Sequence, residues 1–384
     1  MKNSVNLVII FGVFALFSPI FTLQAQEKST ATPEFLQYTN SVWVDSIMNT
    51  LTPQERIAQL FMLPAYSAPG KTNEKQMLEL IKNQKIGGII FMQGGPGNQL
   101  KLMNEYQEAS KVPLLGATDA EWGLGMRLDS TMSFPYQMAL GAIQGEQLIK
   151  DMGAEIARQL KRVGLQLNFA PVVDVNNNPD NPVINYRSFG ENKENVAKKG
   201  IAYMQGMQQE HVLTTAKHFP GHGDTSADSH LGLPQINHDM QRLDSLELYP
   251  FKELINTGVG GVMVAHLNIP AMDSSGVAST LSKPIITGLL KEELGFQGLI
   301  VTDAMNMKGV TEGNETGVVD KRALVAGNDL IEFTENLPKA IEEIQKAVKR
   351  GEISQAEIDK RCRKILAVKQ WVGLDEYKPQ TLDN

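Results

Sequence analysis

The sequence predicts an α/β fold, a single (β/α)8 barrel of the TIM type, from three observations. Short apolar runs alternate with longer amphipathic segments, eight such runs are found, and no linker rich in Gly, Pro or Ser interrupts the series. This alternation is typical of a parallel sheet with crossover helices, and eight repeats over roughly 330 residues suit a closed barrel. A doubly wound open sheet is the alternative architecture.

The eight predicted strands are short runs dominated by apolar residues. They are Ile57–Pro64, Ile86–Met92, Pro113–Thr118, Leu165–Ala170, Leu213–His218, Val259–Ala265, Leu299–Thr302 and Asp329–Phe333. Segments with apolar residues at i, i+3 and i+4 are predicted helices, among them Gln147–Val163, Asn192–Gln209, Gln241–Asn256 and Lys283–Leu294. We expect one domain over residues 34–376, closed by a helix at Gln355–Val372, and a short polar tail at 377–384.

The composition is that of a globular enzyme. The chain has 384 residues, of which 42% are hydrophobic and 21% charged, so it can bury a sizeable core. A net charge of -7 argues against nucleic acid as a partner, since nucleic-acid binders concentrate Lys and Arg on one face. Cys362 is the only cysteine, which excludes an intramolecular disulfide, and its helical context predicts a buried residue rather than a nucleophile.

The N-terminus has the charged residue, apolar core and small residues of an export signal. Lys2 precedes Val5–Phe17, which is apolar apart from Asn6, and Leu23-Gln24-Ala25-Gln26 has the composition of a cleavage site. A membrane anchor is the alternative, but a span needs about 20 apolar residues and this run is shorter. We expect residues 1–25 to be a cleaved signal peptide and the mature protein to be periplasmic, with no membrane attachment.

The segment Lys217–Pro234, KHFPGHGDTSADSHLGLP, is the most informative part of the chain. It holds three of the six histidines, two aspartates and a lysine among several glycines and prolines. The glycines and prolines predict a loop rather than a helix or a central strand. Unpaired polar groups lose hydration when buried, so a loop of this composition is costly as packing alone. We expect it to carry chemistry.

Polar residues also fall where five predicted strands end. Active sites of (β/α)8 barrels are built at the C-terminal ends of the strands. The residues there are Asp119-Ala120-Glu121, Asp174, Lys217-His218, His266 and Asp303. Capping of the following helix is the alternative role for an Asp taken alone. The coincidence on five strands favours an active site.

Two catalytic schemes can be built from these residues. In the first, Asp303 is a nucleophilic carboxylate and His230 is a proton donor that Asp228 orients. This combination gives a two-step displacement at a glycosidic carbon, with an imidazole in place of the usual carboxylic acid.

The second scheme is a metal site for hydrolysis. Its ligands would be His218, His222, Asp228 and His230. Histidines at i and i+4 suit a metal when they lie on a helix, but Pro220 and the neighbouring glycines deny that geometry. The first scheme is therefore favoured, and no metal or other cofactor is expected.

The chain resembles the bacterial β-N-acetylglucosaminidases of glycoside hydrolase family 3, the branch used in peptidoglycan turnover, in the motifs KHFPGHGDTSADSH and GLIVTDAMNM. The likeness runs from about Leu51 to Leu374. It implies a catalytic barrel in which His230 is the acid/base, Asp228 its orienting partner and Asp303 the nucleophile. It also implies sugar-holding roles for Asp119, Arg127, Arg187, Lys217 and His218.

The chain departs from this family pattern near Asp119. Glu121-Trp122-Gly123 stands where the family has a glycine pair after its acidic dipeptide, so Trp122 is either a platform for a sugar ring or an anchoring aromatic. Related β-glucosidases take their acid/base from a second domain, which this chain has no length to hold. The family's best-known Gram-negative members are cytoplasmic, whereas the leader predicts export.

The resemblance therefore implies a retaining, exo-acting β-N-acetylglucosaminidase that acts on peptidoglycan-derived or related glycans. The protein is expected to be a monomer whose partner is a carbohydrate substrate. A metal-dependent hydrolase, a β-glucosidase of the same family and a non-catalytic glycan-binding barrel are the alternatives. The sequence leaves open which linkage is cleaved and whether water or phosphate is the acceptor.

Overall fold

The chain folds into a barrel of eight parallel strands. The computed structural model describes residues 31–68, 70, 73–228 and 231–382. The strands are β1 (Phe61–Ser67), β2 (Gly88–Gly94), β3 (Leu115–Thr118), β4 (Leu167–Asn168), β5 (Leu213–Phe219), β6 (Gly261–Val264), β7 (Leu299–Thr302) and β8 (Ile331–Glu332). Their hydrogen-bonded order is β7-β6-β5-β4-β3-β2-β1-β8, with every pair parallel.

Contacts between β7 and β8 close the barrel. Val301 and Leu330 form a parallel bridge, and the Thr302 N–H donates to the Leu330 carbonyl at 3.1 Å. The Glu332 N–H donates to the Thr302 hydroxyl at 3.1 Å. The (β/α)8 barrel predicted from the alternation is therefore confirmed, and the open doubly wound sheet is wrong.

Helices surround the barrel and precede or connect its strands. They are α1 (Val42–Thr50), α2 (Pro53–Ala58), α3 (Glu74–Gln84), α4 (Pro96–Ala109), α5 (Gln137–Gly141), α6 (Gln147–Arg162), α7 (Lys193–Gln208), α8 (Met240–Ser245), α9 (Leu248–Asn256), a helix with π-type hydrogen bonding (Pro284–Glu293), α10 (Lys308–Thr311), α11 (Val318–Ala326), α12 (Leu337–Arg350) and α13 (Gln355–Trp371). The strands are buried almost throughout, because the barrel interior and the helical layer cover both of their faces.

The predicted elements overlap the observed ones, but two boundaries are wrong for identifiable reasons. The predicted strand Ile57–Pro64 begins inside α2, which a reciprocal capping box between Thr52 and Glu55 holds in helical form. The predicted helix Gln241–Asn256 is two helices, α8 and α9. Pro250 lies in the first turn of α9, where its missing N–H breaks no helical hydrogen bond, whereas the interior of one long helix would not accommodate it.

A buried carboxylate, Asp329, fastens α13 to the N-terminal ends of β7 and β8. It accepts from the Ile300 N–H at 2.9 Å and from Lys364 Nζ at 2.8 Å. Arg361 donates to the carbonyls of Leu324 and Asn328, each at 2.6 Å. These contacts satisfy polar groups that the barrel floor would otherwise bury without partners.

The predicted signal peptide at 1–25 lies outside the described residues, and no helix in the described part of the chain is long and apolar enough to cross a bilayer. The tail is attached to α4, since Tyr377 donates its hydroxyl to Asn104 Oδ1 at 2.6 Å. Cys362 is buried in α13 as predicted, and burial raises the pKa of its thiol to about 12.

Candidate active site

A cavity of about 530 Å³ opens at the C-terminal ends of the strands. Its wall combines residues in or after all eight strands: Tyr66, Met92, Asp119, Glu121, Trp122, Met126, Arg127, Val183, Tyr186, Arg187, Lys217, His218, His222, Met263, Asp303, Ala304, Asn306, Met307, Glu332 and Phe333. Six of the eight predicted site residues lie on this wall, namely Asp119, Arg127, Arg187, Lys217, His218 and Asp303. The structure thus brings together side chains that are up to 184 positions apart in the sequence, from 119 to 303.

Lys217, near the end of β5, lies at the centre of an ion cluster. Its Nζ donates to Asp119 Oδ1 at 2.8 Å and lies 2.9 Å from Glu121 Oε1. Asp119 pairs through its other oxygen with Arg127. The side chains of Lys217 and Glu121 are 3% and 0% exposed, so their charges have lost water and depend on each other for stabilisation.

Arg187 joins this ion cluster through a two-point contact with Glu121. Its Nη2 donates to Oε1 at 2.6 Å and its Nε donates to Oε2 at 3.0 Å. Its Nη1 donates to the Val183 carbonyl at 3.2 Å. Two parallel hydrogen bonds to one carboxylate fix the plane of a guanidinium as well as its position. Arg187 is therefore held in one orientation at the cavity wall.

The ion cluster also fixes the charges of its members. Burial would raise the pKa of Asp119, but Lys217 and Arg127 outweigh it and hold that pKa well below its usual range. Burial likewise opposes ionisation of Glu121, yet Arg187 and Lys217 lower its pKa to about 2. Burial would lower the pKa of Lys217, but Asp119 and Glu121 outweigh burial and raise it. All three groups are charged at neutral pH.

Asp174, which follows β4, holds two histidines. It accepts from the His222 N–H at 2.7 Å and from the His218 N–H at 3.2 Å, and its Oδ2 lies 2.8 Å from His218 Nδ1. Burial would raise the pKa of Asp174, but His218 and His222 lower it. A carboxylate at Nδ1 places a proton on that nitrogen, and Nε2 of the same ring lies 3.3 Å from Arg187 Nη2.

Asp303 follows β7 and is half-buried in the cavity wall. Its Oδ1 accepts from the Ala304 N–H at 2.8 Å, and its own N–H donates to the Val264 carbonyl at 2.9 Å. Burial would raise its pKa, but His266 and His218 outweigh burial and lower it. Asp303 is therefore an ionised carboxylate that faces open space, the state that a nucleophile requires.

The predicted loop begins three residues later than expected. Lys217, His218 and Phe219 belong to β5. The predicted strand Leu213–His218 is therefore confirmed, and the prediction that all of Lys217–Pro234 lies outside a central strand is wrong for these residues. The Phe219 carbonyl accepts from the Ala265 N–H at 2.9 Å, which extends the pairing with β6. Pro220 has no N–H to continue the ladder, and the strand ends before it.

The remainder of this loop is tied to its surroundings. Asn181 Nδ2 donates to the His222 carbonyl at 2.8 Å, and Asp224 pairs with His238. Asp228 is half-buried, and its carbonyl accepts from the Leu231 N–H at 2.9 Å. Among the described residues Asp228 is not part of the cavity wall, and His230 lies outside the described residues.

The structure adds three carboxylates to the predicted set of site residues. Glu121 and Asp174 were expected at strand ends, but nothing in the sequence showed that they position Arg187 and His218. Glu332 lines the cavity from β8 and was counted only as part of a predicted strand. The sequence does contain a sign of this role, because a glutamate in the apolar run DLIEF is costly to bury unless it faces a polar site.

Trp122 has the aromatic contact expected of an anchored residue and also lines the cavity. Its ring contacts Tyr136 edge to face at a centroid distance of 4.9 Å, and Tyr136 lies 4.5 Å from Tyr186. Trp122 and Tyr186 line the cavity, and both tyrosines are 48% exposed. Trp122 is thus anchored by an aromatic neighbour while it contributes to the cavity wall.

A second cavity, of about 790 Å³, lies near the N-terminal ends of β7 and β8. It is lined by Asp329, Arg361 and Lys364, among others. Lys364 donates a hydrogen bond to Asp329, and Arg361 donates to backbone carbonyls. In barrels of this type the N-terminal end of the strands serves stability. The smaller cavity, with its ionised Asp303, is therefore the candidate active site.

Comparison with known proteins places the chain among relatives. Residues 52–368 match the family model described as the glycosyl hydrolase family 3 N-terminal domain. The chain is 40% identical over 261 residues to β-hexosaminidase A of Pseudoalteromonas piscicida, covering 62% of this chain and 44% of that protein. It is 29% identical over 334 residues to the β-hexosaminidase LpqI of Mycobacterium tuberculosis, covering 83% of each.

A solved structure has the same architecture. The family 3 β-N-acetylglucosaminidase from Paenibacillus sp. str. FPU-7 is 38% identical and has a TM-score of 0.81, covering 86% of this chain and 65% of that chain. The chain thus spans less than two thirds of this protein and of the Pseudoalteromonas relative.

Glu121→Gln should lower the free energy of unfolding at pH 7 by about 3–5 kcal/mol, because Arg187 and Lys217 lose a buried partner. The pKa of Glu121 is lowered in the folded protein, so its contribution is present above the unfolded value of 4.5 and is lost as the pH falls toward about 2. Urea unfolding of both proteins across this pH range measures the difference. Glu155→Gln, in an exposed pair with Arg158, is the control, and an equal loss in both variants would contradict the role of the ion cluster.

Proposed function

The chain belongs to glycoside hydrolase family 3, and on that premise we propose that it is a retaining, exo-acting β-N-acetylglucosaminidase. It removes terminal β-linked N-acetylglucosamine from peptidoglycan-derived or related glycans. The observation that supports this most is the ionised Asp303 in the same cavity as the ion cluster around Lys217. The names of the relatives, β-hexosaminidase and β-N-acetylglucosaminidase, support a hexosamine substrate.

In the first step of the proposed reaction, a carboxylate oxygen of Asp303 attacks the anomeric carbon. The bond from that carbon to the leaving-group oxygen breaks, and His230 as imidazolium gives this oxygen its proton. The products are the released sugar or alcohol and a glycosyl ester on Asp303. His230 is then neutral.

In the second step, His230 takes a proton from a water molecule as the water oxygen attacks the same carbon. The bond to Asp303 breaks, its carboxylate is restored, and two inversions leave the β configuration unchanged. Asp228, two residues before His230, orients the imidazole and favours its protonated form.

The sugar is held by the charged groups of the cavity wall. Asp119 and Glu121 present ionised oxygens that accept hydrogen bonds from hydroxyls, and Arg127, Arg187 and Lys217 present donors. His218 is fixed by Asp174 and stands beside Arg187. Because these side chains are already held by hydrogen bonds to one another, binding of the substrate needs little further ordering of side chains.

A metal-dependent hydrolase and a β-glucosidase of the same family are the competing functions. Within the described residues, no three His, Cys, Asp or Glu side chains form a group able to hold a metal ion, and His230 lies outside that set. Activity that survives a chelator would separate the proposed mechanism from metal-assisted hydrolysis. Comparison of aryl β-N-acetylglucosaminide with aryl β-glucoside would separate the two glycosidases.

Asp303→Ala should abolish turnover of an aryl β-N-acetylglucosaminide while the protein remains folded, because the covalent route is lost and the wall of the cavity is kept. Steady-state kinetics measures the loss, and circular dichroism with thermal unfolding checks the fold. A folded Asp303→Ala protein with a rate near that of the wild type would exclude Asp303 as the nucleophile.

His230→Ala should slow substrates with poor leaving groups by about 10²–10⁴-fold and slow those with activated phenols much less, because only the former need a proton at bond cleavage. Asp228→Asn should lower the kinetic pKa of the acid/base step, because the amide supplies no negative charge. Rates for a series of aryl leaving groups measure the first effect, and the pH profile of turnover measures the second. Equal losses for all leaving groups would indicate a structural or metal-ligating histidine.

We also propose that the mature protein is periplasmic, since residues 1–25 have the pattern of a signal peptide. We propose further that it is a monomer. Expression in a Gram-negative host should release a protein that begins near Gln26 with the periplasmic fraction, without detergent. Fractionation, N-terminal sequencing and sedimentation measure location and mass. A protein that begins at Met1 in the cytosol would contradict the export proposal.

A further inference from the structure

Glu332 is a buried acid in the cavity wall that the proposed reaction does not use. It lies in β8, its side chain lines the cavity, and it is only 4% exposed. Its backbone is fixed on both sides, since its N–H donates to the Thr302 hydroxyl at 3.1 Å and its carbonyl accepts from the Met305 N–H at 3.0 Å. The barrel therefore fixes the backbone position from which the Glu332 side chain reaches the cavity wall.

Among the described residues, one oxygen of the Glu332 carboxyl group lacks a hydrogen-bond partner, whereas Asp119 and Glu121 are paired with cations. Its Oε2 is buried and has no hydrogen-bond partner among the described residues. The charged groups that act on it are Asp119 and Asp303, which have the same sign, and Lys217 and Arg127, which are already bonded to Asp119. Burial, then Asp119 and Asp303, raise the pKa of Glu332 well above its ordinary value.

A packing role does not account for these features. A buried carboxyl without a partner loses its hydration and gains nothing, so an apolar side chain would serve the barrel better. Asp320 in α11 offers a comparison within the same chain. It too is buried with an unpaired oxygen and a raised pKa, of about 6, but it is not part of the cavity wall.

We propose that Glu332 is a substrate-binding residue whose protonated carboxyl donates a hydrogen bond to an oxygen of the sugar in the cavity. This inference rests on the proposed function for the identity of the sugar. A protonated carboxyl is both a donor and an acceptor, whereas Asp119, Glu121 and Asp303 are ionised and can only accept. Glu332 thus supplies a neutral donor to a wall whose other carboxyl groups cannot donate, and its unpaired oxygen gains a partner only when sugar is bound.

The pH dependence of binding follows from the neighbours of Glu332. Below its raised pKa the carboxyl is neutral and donates. As the pH rises through that pKa, the donor is lost and a third negative charge joins Asp119 and Asp303. Sugar binding should therefore weaken on the alkaline side, in parallel with deprotonation of Glu332.

Calorimetric titration with N-acetylglucosamine tests the proposal without requiring turnover. Glu332→Leu should raise Kd about tenfold at pH 6, the effect of one lost hydrogen bond. Glu332→Gln keeps a donor, so it should bind nearly as the wild type does at pH 6 and lose the alkaline weakening. Asp320→Asn should leave both Kd and its pH dependence unchanged, and thermal unfolding verifies that all three variants are folded.

Two results would overturn the proposal. One is an unchanged Kd in Glu332→Leu; the other is an alkaline weakening that persists in Glu332→Gln. If the wild type binds N-acetylglucosamine but does not hydrolyse its β-glycosides, the proposed function fails while the Glu332 assignment is still decided by Kd. If the wild type does not bind N-acetylglucosamine at all, both fail.

Discussion

The contact of Lys217 with Asp119 and Glu121 is the interaction on which the site depends. It joins the end of β3 to β5 across β4, inside the mouth of the barrel. From it, hydrogen bonds continue through Arg187 to His218. Because each member has lost water and is satisfied by its neighbours, the cluster favours one arrangement and resists partial disruption. The cavity wall is thus formed before any ligand arrives.

The same cluster separates the four cavity carboxyl groups into two classes. Asp119 and Glu121 are neutralised by cations and serve as fixed acceptors. Among the described residues, Asp303 and Glu332 form no ion pair with a Lys or Arg, and their surroundings shift their pKa values in opposite directions. When two neighbouring acids have different surroundings, their pKa values differ, so one cavity can hold an ionised and a protonated carboxyl group at the same pH. This division gives Asp303 its proposed role as nucleophile and Glu332 its proposed role as donor.

Much of the barrel and part of the site could be predicted from the sequence. Periodicity located the strands, and strand ends located Asp119, Lys217 and Asp303, because a parallel barrel brings those ends together. The start of β1 could also have been placed from local sequence, because Thr52 and Glu55 form a capping box that starts α2 and outweighs the apolar run. Local patterns could not show that Glu121 holds Arg187, because that contact joins residues 66 positions apart. The sequence analysis did not identify Glu332 as a site residue, because it treated the apolar run Asp329–Phe333 as a buried strand only.

Trapping the glycosyl enzyme tests the role of Asp303 most directly. A 5-fluoro derivative of N-acetylglucosaminyl fluoride has a reactive leaving group but forms an ester that hydrolyses slowly, so the intermediate should accumulate. After proteolysis, mass spectrometry should find one added sugar on Asp303, and the Asp303→Ala protein should remain unlabelled. Attachment to another carboxyl group such as Glu332, or turnover with inversion and no attached sugar, would contradict the assignment of Asp303 as nucleophile.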